Sequence, residues 1–330
     1  MSRPWGRPDA ATAAVRLAVR SVLSDAVPGE LVLVACSGGA DSLALAAATA
    51  VEARAAGIRS GAVVVDHGLQ AGSAAVASAA AVTLRGLGHD PVEVVGVAVD
   101  VAGEGLEAAA RTARYAALDA VADRLGASTV LLGHTRDDQA EQVLLGLVRG
   151  AGARSLSGMP PARDRYRRPL LGVTREQCRA SARAEGLTWW DDPMNGDPAF
   201  ARVRARSALA DLERDLGPGV AAALARTAEQ LREDADLLDS LADGTVSSLG
   251  DGPWEAAALT AVPRPVRTRV WRRFLVAAGA PAGQLGSRHT DACDRLLTAW
   301  HGQGPVHAPG DLRVSRSGGR VSIARAGPVE

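Results

Sequence analysis

The sequence predicts an α/β protein, with a parallel sheet covered by helices on both faces and a smaller, mainly helical C-terminal domain. A short, wholly apolar run at 31–36 and mainly apolar runs at 62–66, 92–99 and 128–133 alternate with helical segments, as in a chain of βαβ units. Runs without polar alternation are typical of strands buried on both faces, as in parallel sheets. Polar residues directly follow several of these runs, at the strand ends where such sheets bind ligands.

The intervening segments are predicted as helices. An amphipathic helix is expected over 8–27, and an alanine- and leucine-rich helix runs from 41 to about 56, where Gly57 closes it. The remaining helices of the sheet domain are predicted at 73–87, 104–125 and 137–149.

The second half of the chain has a different composition. Residues 151–171 are rich in Arg, Pro and Gly and are predicted as a loop, and a capping box at 174–177 opens a short helix. Because 330 residues exceed one ordinary core, two domains are expected. The linker Gly217-Pro218-Gly219 places them at 1–216 and 217–330. The first domain is predicted to end with a helix at 202–216. The second domain is predicted to hold helices at 220–243 and 287–300, an arginine-rich segment at 264–275 and a hairpin at 311–325.

The bulk composition describes a soluble globular protein, with 47% hydrophobic and 22% charged residues. No apolar run reaches the roughly 18 residues of a membrane span, so no membrane association is expected. Three cysteines, far apart in the chain, fit a reducing cytoplasm and argue against a disulfide framework or a cysteine metal cluster. We therefore predict a cytoplasmic protein.

All 37 basic residues are arginine, since the sequence contains no lysine. A Walker A loop is thereby excluded, because it needs a lysine on the phosphates, and so is Schiff-base chemistry. The net charge of zero by itself indicates no polyanionic partner. Arginine is nevertheless concentrated in 149–168 and 256–290, and local basic surfaces can bind nucleic acid.

A glycine loop lies between the first predicted strand and its helix, with the sequence Ser37, Gly38, Gly39, Ala40, Asp41, Ser42. The glycines permit a tight turn that directs N–H groups at an anion, and the helix start adds its positive dipole end. Ser37 and Ser42 add hydroxyl donors, and Asp41 could hold Mg²⁺ on phosphate oxygens. The loop resembles the S-G-G-x-D-S motif of PP-loop ATP pyrophosphatases, which implies cleavage of ATP to AMP and pyrophosphate.

Asp66 and His67 end the second predicted strand. Two interpretations are open: contacts to the adenosine and phosphate of ATP, or a polar strand end that caps a turn. The block resembles V-D-H-G-L-R of the tRNA(Ile)-lysidine synthases, with Gln70 in place of the arginine.

A long predicted helix carries Glu107, Arg111, Arg114 and Tyr115. Three- and four-residue spacing places the charged groups on one face, either as a phosphate clamp or as a solvated ion-pair stripe. The pattern E-x-x-x-R-x-x-R-Y resembles the same synthase family, which implies that Arg111 is a catalytic phosphate contact.

His134, Asp138 and Glu141 follow the fourth strand in the string H-x-x-D-D-Q-x-E-x-x-L-x-x-L-x-R-G, which ends at Arg149-Gly150. Asp138 and Glu141 can converge on one cation, or simply complement the helix dipole. The string resembles the lysidine synthase signature. That resemblance implies that His134 contacts ATP or its adenylate, and that Asp138 and Glu141 bind the substrate L-lysine.

Family-like motifs continue downstream, although Met194 and Val203 replace a usual serine and asparagine. By resemblance, Arg149, Arg202 and Arg206 are assigned to tRNA, and Asp192 either anchors a turn or lines the tRNA path. In the C-terminal segment, Arg264, Arg267, Arg269, Arg272 and Arg273 could bind tRNA phosphates while Trp271 stacks on a base; the other interpretation is a solvated helix with Trp271 in the core.

The resemblance implies a ligase that forms a carbon–nitrogen bond: lysine joins the wobble cytidine of CAU-anticodon tRNA(Ile), with ATP and Mg²⁺. Two alternatives are kept, a PP-loop tRNA thiolase, which would normally need paired cysteines near the loop, and an ATP-binding protein without catalysis. The oligomeric state is open, with a homodimer as one possibility.

Overall fold

A computed structural model of the chain describes residues 8–70, 72–100, 105–150 and 152–325. It divides into two compact units, Met1–Gln230 and Leu231–Glu330. This division falls within a long helix, Val220–Leu249, that begins directly after the predicted linker at Gly217–Gly219.

The first unit contains a six-stranded sheet in the order β3-β2-β1-β4-β6-β5. Its first five strands in that order run parallel, and β5 joins β6 antiparallel. The strands are β1 (Leu31–Ala35), β2 (Arg59–Asp66), β3 (Val92–Gly96), β4 (Thr129–Leu132), β5 (Ala162–Arg163) and β6 (Tyr166–Arg167). The helices are α1 (Ala10–Leu23), α2 (Ala40–Ala55), α3 (Ser73–Leu87), α4 (Leu106–Leu125), α5 (Arg136–Val148), α6 (Ala153–Leu156), α7 (Arg175–Ala184), α8 (Ala201–Leu216) and α9 (Val220–Leu249).

Alternate residues of β1 point into two different cores, because successive strand side chains face opposite sides. Val32 and Val34 pack with residues of α1, α2 and α7. Leu31 and Leu33 pack with α4 on the other face. The predicted parallel sheet with helices on both faces is confirmed.

The prediction of a loop over 151–171 is wrong, because this segment forms α6 and the hairpin of β5 and β6 within its described residues. Tyr166 extends the sheet by pairing with Val130, and its hydroxyl donates to Asp119 at 2.7 Å. Two-residue strands are too short to show a period of two, so the sequence pattern could not reveal them.

The strand order reverses at β1, which lies between β2 and β4. Ligands bind at such switch points, outside the carboxyl ends of the strands. Gly133, directly after β4, allows a close approach there: a Cβ at this position would lie 3.2 Å from Ser42 Cα. The glycine loop after β1 and the His134 segment after β4 are therefore in contact.

The second unit packs α10 (Ala256–Ala261), α11 (Arg264–Ala277) and α12 (Ser287–Thr298) with the end of α9 and a four-stranded antiparallel sheet. The predicted hairpin is confirmed as β9 and β10, and β7 and β8 were not predicted. Trp271 lies fully buried in this core. In sheet order the strands are β7 (Trp254–Glu255), β10 (Arg320–Arg325), β9 (Leu312–Ser317) and β8 (Val306–Ala308).

Over the residues described, no helix is both long and apolar enough to cross a membrane.

Candidate active site

A cavity of about 710 Å³ opens at the carboxyl ends of β1, β2 and β4, within the first unit. Segment 190–196 forms a further wall. The sequence-predicted site residues that line the cavity are Ser37, Gly39, Ala40, Asp41, Ser42, Asp66, His67, His134, Asp138, Arg202 and Arg206.

Ser42 holds the glycine loop in shape. Its hydroxyl donates to the Gly39 carbonyl at 2.9 Å and accepts from the Ser37 backbone N–H at 3.2 Å. Gly38 has a φ of +81°, a left-handed conformation that favours glycine. The Gly38 carbonyl accepts the N–H of Trp190 at 3.1 Å, which ties the loop to the 190–196 wall. The loop is thus preorganised before any phosphate arrives.

Asp41 lies in the first turn of α2, and only one of its carboxylate oxygens is close to a positive charge. Its Oδ1 is buried and finds no hydrogen-bond partner among the residues that the structure describes. Its Oδ2 lies 3.6 Å from Arg175 Nε. Burial raises the pKa of Asp41 to about 6, and Asp138 adds to that rise while Arg175 opposes it. A divalent cation would satisfy this oxygen.

The coordination shell of the metal would have to be completed by oxygens other than those of Asp41. Over the described part of the chain, no group of three or more His, Cys, Asp or Glu side chains is arranged to hold an ion. Phosphate and water oxygens commonly fill the remaining Mg²⁺ positions, so a single protein carboxylate fits a nucleotide-bound Mg²⁺.

Two histidines of the cavity are neutral. Burial lowers the pKa of His134, with Asp138 opposing, and burial together with Arg114 lowers the pKa of His67. Within the described residues, the buried Nδ1 of each ring is without a hydrogen-bond partner. Both rings are therefore available for hydrogen bonds to a ligand without carrying charge.

Asp66 caps a turn, as one of its two interpretations predicted, and its contact with ATP stays a prediction. Its Oδ1 accepts the N–H of Gly68 at 3.0 Å, a hydrogen bond that lowers its pKa, and the residue also lines the cavity. Gln70 donates to Asp192 Oδ1 at 2.7 Å, and the same oxygen accepts the N–H of Met194 at 2.8 Å. The turn-anchoring role of Asp192 is therefore observed.

Asp138 and Glu141 converge as the sequence predicted, and the cation between them is Arg175. Asp138 Oδ2 accepts the N–H of Thr135 at 2.7 Å in a capping box that opens α5. Arg175 Nη2 lies 2.7 Å from Asp138 Oδ1 and 3.2 Å from Glu141 Oε1. Burial pushes the pKa of Asp138 upward, but Arg175 and the Thr135 N–H outweigh it and hold the pKa below its usual value.

Arg175 is the main site residue that the sequence did not reveal. Its backbone N–H also donates to Asp137 Oδ2 at 2.9 Å, so it contacts both neighbouring acids of α5. The capping box at Thr174, which was predicted, fixes where α7 begins and thereby places Arg175 at its first position. Which neighbours surround that position depends on tertiary packing, which local spacing does not encode.

The two arginines of α4, Arg114 and Arg111, lie in different environments. Arg114 lines the cavity and is desolvated enough that burial lowers its pKa. Arg111 lies against Tyr115, with its guanidinium 5.0 Å from the ring centre and outside the described cavity wall. The phosphate contact assigned to Arg111 stays a prediction, and Arg114 is the better-placed arginine of this helix.

Arginines of α8 also face carboxylates. Arg202 Nε lies 3.2 Å from Glu107 Oε1, and Arg206 Nε lies 2.8 Å from Glu141 Oε1. Arg149 is exposed at the end of α5. The assignment of Arg149, Arg202 and Arg206 to tRNA stays a prediction.

The arginine-rich segment of the second unit is occupied by internal contacts. Arg267 pairs with Asp294, and Arg269 and Arg273 pair with Asp239. With Trp271 in the core, the base-stacking interpretation is wrong and the packing interpretation is correct. Arg272 donates to the carbonyl groups of Leu285 and Ala282, and Arg264 pairs with Asp291.

Two family models match the chain, the PP-loop domain over residues 13–213 and the TilS substrate binding domain over residues 255–322. A solved U34-tRNA thiolase from Methanococcus maripaludis, which contains a 4Fe-4S cluster, shares the fold. Its TM-score is 0.56 at 18% identity, over 68% of this chain and 80% of that chain. Together with the glycine loop at the switch point, these findings define a PP-loop protein.

Named relatives identify the family within the PP-loop class. A tRNA(Ile)-lysidine synthase from Thermobifida fusca is 54% identical over 96% of this chain and 98% of its own length. One from Streptomyces coelicolor is 51% identical over 96% and 99%. The chain belongs to the tRNA(Ile)-lysidine synthase family.

Proposed function

We propose that this chain ligates L-lysine to the C2 carbon of the wobble cytidine of CAU-anticodon tRNA(Ile), using ATP and releasing AMP and pyrophosphate. One observation carries the proposal within the family. Residues of the phosphate-type loop Ser37–Ser42, Asp138 and Arg175 line one cavity, and Glu141 joins this site through its contact with Arg175. This site can hold a nucleotide and an ammonium group side by side.

The chemistry needs both halves. The oxygen on C2 of cytosine is a poor leaving group, so it first attacks the α-phosphorus of ATP, and pyrophosphate leaves. The lysine ε-amine then attacks C2, and the C–O bond breaks to release AMP. Backbone N–H groups and the Ser37 hydroxyl stabilise the departing pyrophosphate, in a loop whose shape the Ser42 hydroxyl holds.

Mg²⁺ would be held by Asp41 together with phosphate oxygens. It would neutralise charge on the pyrophosphate as the α–β bond breaks, a role that a loop lysine fills in Walker A proteins. The unpartnered, buried Oδ1 of Asp41 supports this assignment.

The amine is oriented by Asp138 and Glu141, two carboxyl groups that attract an ammonium group. A proton must leave before the nitrogen can attack. A carboxylate of this group or the neutral ring of His134 accepts it. His134 and His67 contact the nucleotide or its adenylate, and Arg111 or Arg114 contacts phosphate.

The tRNA contacts are assigned to Arg149, Arg202 and Arg206, and to the second unit, which matches a substrate-binding domain. An anticodon loop presents an unstacked base at little cost, which suits entry into a cavity. The cytoplasm, where tRNA is processed, is the proposed location.

The thiolase alternative is not favoured. Cys36, Cys178 and Cys293 are free and buried, and burial raises the pKa of each thiol. A protonated thiol is a poor nucleophile and metal ligand, so these cysteines are unsuited to sulfur transfer.

The deciding experiment incubates the protein with ATP, labelled lysine and CAU-anticodon tRNA. We expect label in the tRNA, with one AMP and one pyrophosphate formed per lysine. A tRNA with uridine in place of the wobble cytidine is the matched control and should remain unlabelled. Sulfur transfer, or ATP retention without labelled tRNA, would overturn the proposal.

A further inference from the structure

One guanidinium group serves three carboxylates from two different helices. Arg175, at the start of α7, lies within hydrogen-bond distance of Asp138 and Glu141 on α5, and 3.6 Å from Asp41 on α2. Its side chain is 18% exposed, and that of Glu141 is 3% exposed. A contact so enclosed is held in one geometry and is weakly screened by solvent.

The local charges do not balance. Across the described residues, the carboxylates that Arg175 contacts through its side chain or backbone N–H are those of Asp41, Asp137, Asp138 and Glu141, and Arg206 is the second arginine in contact with them. The guanidinium of Arg179, also on α7, acts electrostatically on Asp41, so four negative groups face three positive ones. The site retains a deficit of positive charge while Arg175 stays in place, so a substrate ammonium can enter without displacing it.

The oxygens of the amine site are held individually. Asp138 Oδ2 is fixed by Thr135, and its Oδ1 by Arg175. Glu141 Oε1 is fixed by Arg175 and Arg206 together. Without a cation between them, two carboxylates three residues apart on one helix repel each other and separate.

We propose that Arg175 is a positioning residue that holds Asp138 and Glu141 at the spacing that receives the ε-ammonium of lysine. The proposal rests on the proposed amine site. Arg175 acts through the two carboxylates and does not touch the reacting atoms. Its effect falls on lysine more than on ATP, since its contacts to Asp138 and Glu141 are hydrogen bonds whereas the 3.6 Å to Asp41 is beyond hydrogen-bond reach.

The test measures steady-state KM for lysine and for ATP in the full chain with CAU-anticodon tRNA. We expect Arg175→Gln to raise the KM for lysine about tenfold or more and to change the KM for ATP about threefold or less. Arg175→Lys keeps the charge and should recover part of the lost lysine affinity. Arg183→Gln, on the same helix with its guanidinium over the Trp189 ring, is the matched control and should change neither constant.

Each outcome bears on the proposal. Equal rises in both KM values, or a fall in the KM for lysine, would overturn it, and so would an Arg175→Lys variant as impaired as Arg175→Gln. If Arg175→Gln does not fold, the comparison of Arg175→Lys with the wild type decides. Asp138→Asn, measured in parallel, distinguishes failure of the Arg175 proposal from failure of the proposed amine site. An unchanged KM for lysine in that variant refutes the amine site itself.

Discussion

Two arginines, one in each compact unit, show opposite ways of balancing charge. Arg267 in the second unit forms a two-point contact with Asp294, at 2.5 and 3.1 Å, and donates to the carbonyl groups of Thr260 and Val262. One guanidinium there meets one carboxylate. Arg175 in the first unit instead meets three carboxylates with its side chain.

This difference in charge balance distinguishes a structural ion pair from a binding site. A balanced and fully hydrogen-bonded pair has no remaining affinity for a charged ligand, and it serves to fix the packing of helices. A group with excess negative charge is unfavourable by itself and becomes favourable when a cation binds. The arginine content alone, high in both units, did not distinguish the two cases.

The largest expected effect comes from breaking the balanced pair. Arg267→Met leaves Asp294 buried and unpaired, which should lower the free energy of unfolding by about 3–5 kcal/mol. Urea unfolding of the full chain measures this. The control Arg264→Gln removes an exposed pair with Asp291 and should cost less than about 1 kcal/mol. Equal losses in the two variants would contradict the assignment.

Asp41 by itself should make the free energy of unfolding fall as pH rises. The folded-state pKa of Asp41, about 6, exceeds its ordinary value of 3.8, so between these values the folded state binds more protons than the unfolded state. Asp41→Asn removes this dependence. In metal-free buffer the variant should match the wild type near pH 4 and exceed its stability by up to about 3 kcal/mol at pH 7. A pH-independent difference would refute the assigned shift.

The same carboxylate is expected to be required for activity. Asp41→Ala should lower the rate of pyrophosphate release by about a hundredfold or more, because charge on the departing phosphate is no longer neutralised. Exposed Asp25, in the turn after α1, offers a matched Asp25→Ala control that should retain the wild-type rate. Full activity of Asp41→Ala would disprove its role in the loop.

A smaller effect is expected at the amine site. Asp138→Asn can still accept the Thr135 N–H and so preserves the helix cap, but it loses the charge that we propose faces lysine. The KM for lysine should rise about tenfold, with less change in the KM for ATP. Asp211→Asn, an exposed acid on α8, is the control. Equal effects on both substrates would argue for a general loss of structure.

The sequence predicted those parts of the molecule whose signals are local. The apolar runs gave β1 to β4, and the polar residues that end them gave the loop at Ser37–Ser42 and the block from His134 to Glu141. The hairpin of β5 and β6 escaped because strands of two residues carry no period. Arg111 and Arg114 share one spacing pattern, so only the tertiary packing shows which one faces the cavity.

Arg175 illustrates the other limit. Its local pattern announces a helix start and nothing more, whereas its contacts come from positions 34 to 134 residues away in the chain. Long-range convergence of opposite charges has no signature in a single sequence.

The close contact of Gly133 with Ser42 couples the segment after β4 to the glycine loop after β1. A methyl group at position 133 would act as a wedge between the end of β4 and the first turn of α2. The glycine loop after β1 and the segment after β4 therefore cannot be moved independently of each other. Substitutions meant to change the amine specificity should leave the contact between Gly133 and Ser42 intact. Redesign of the amine specificity should start from α7, which contacts the carboxylates of Asp138 and Glu141 but takes no part in the contact between Gly133 and Ser42.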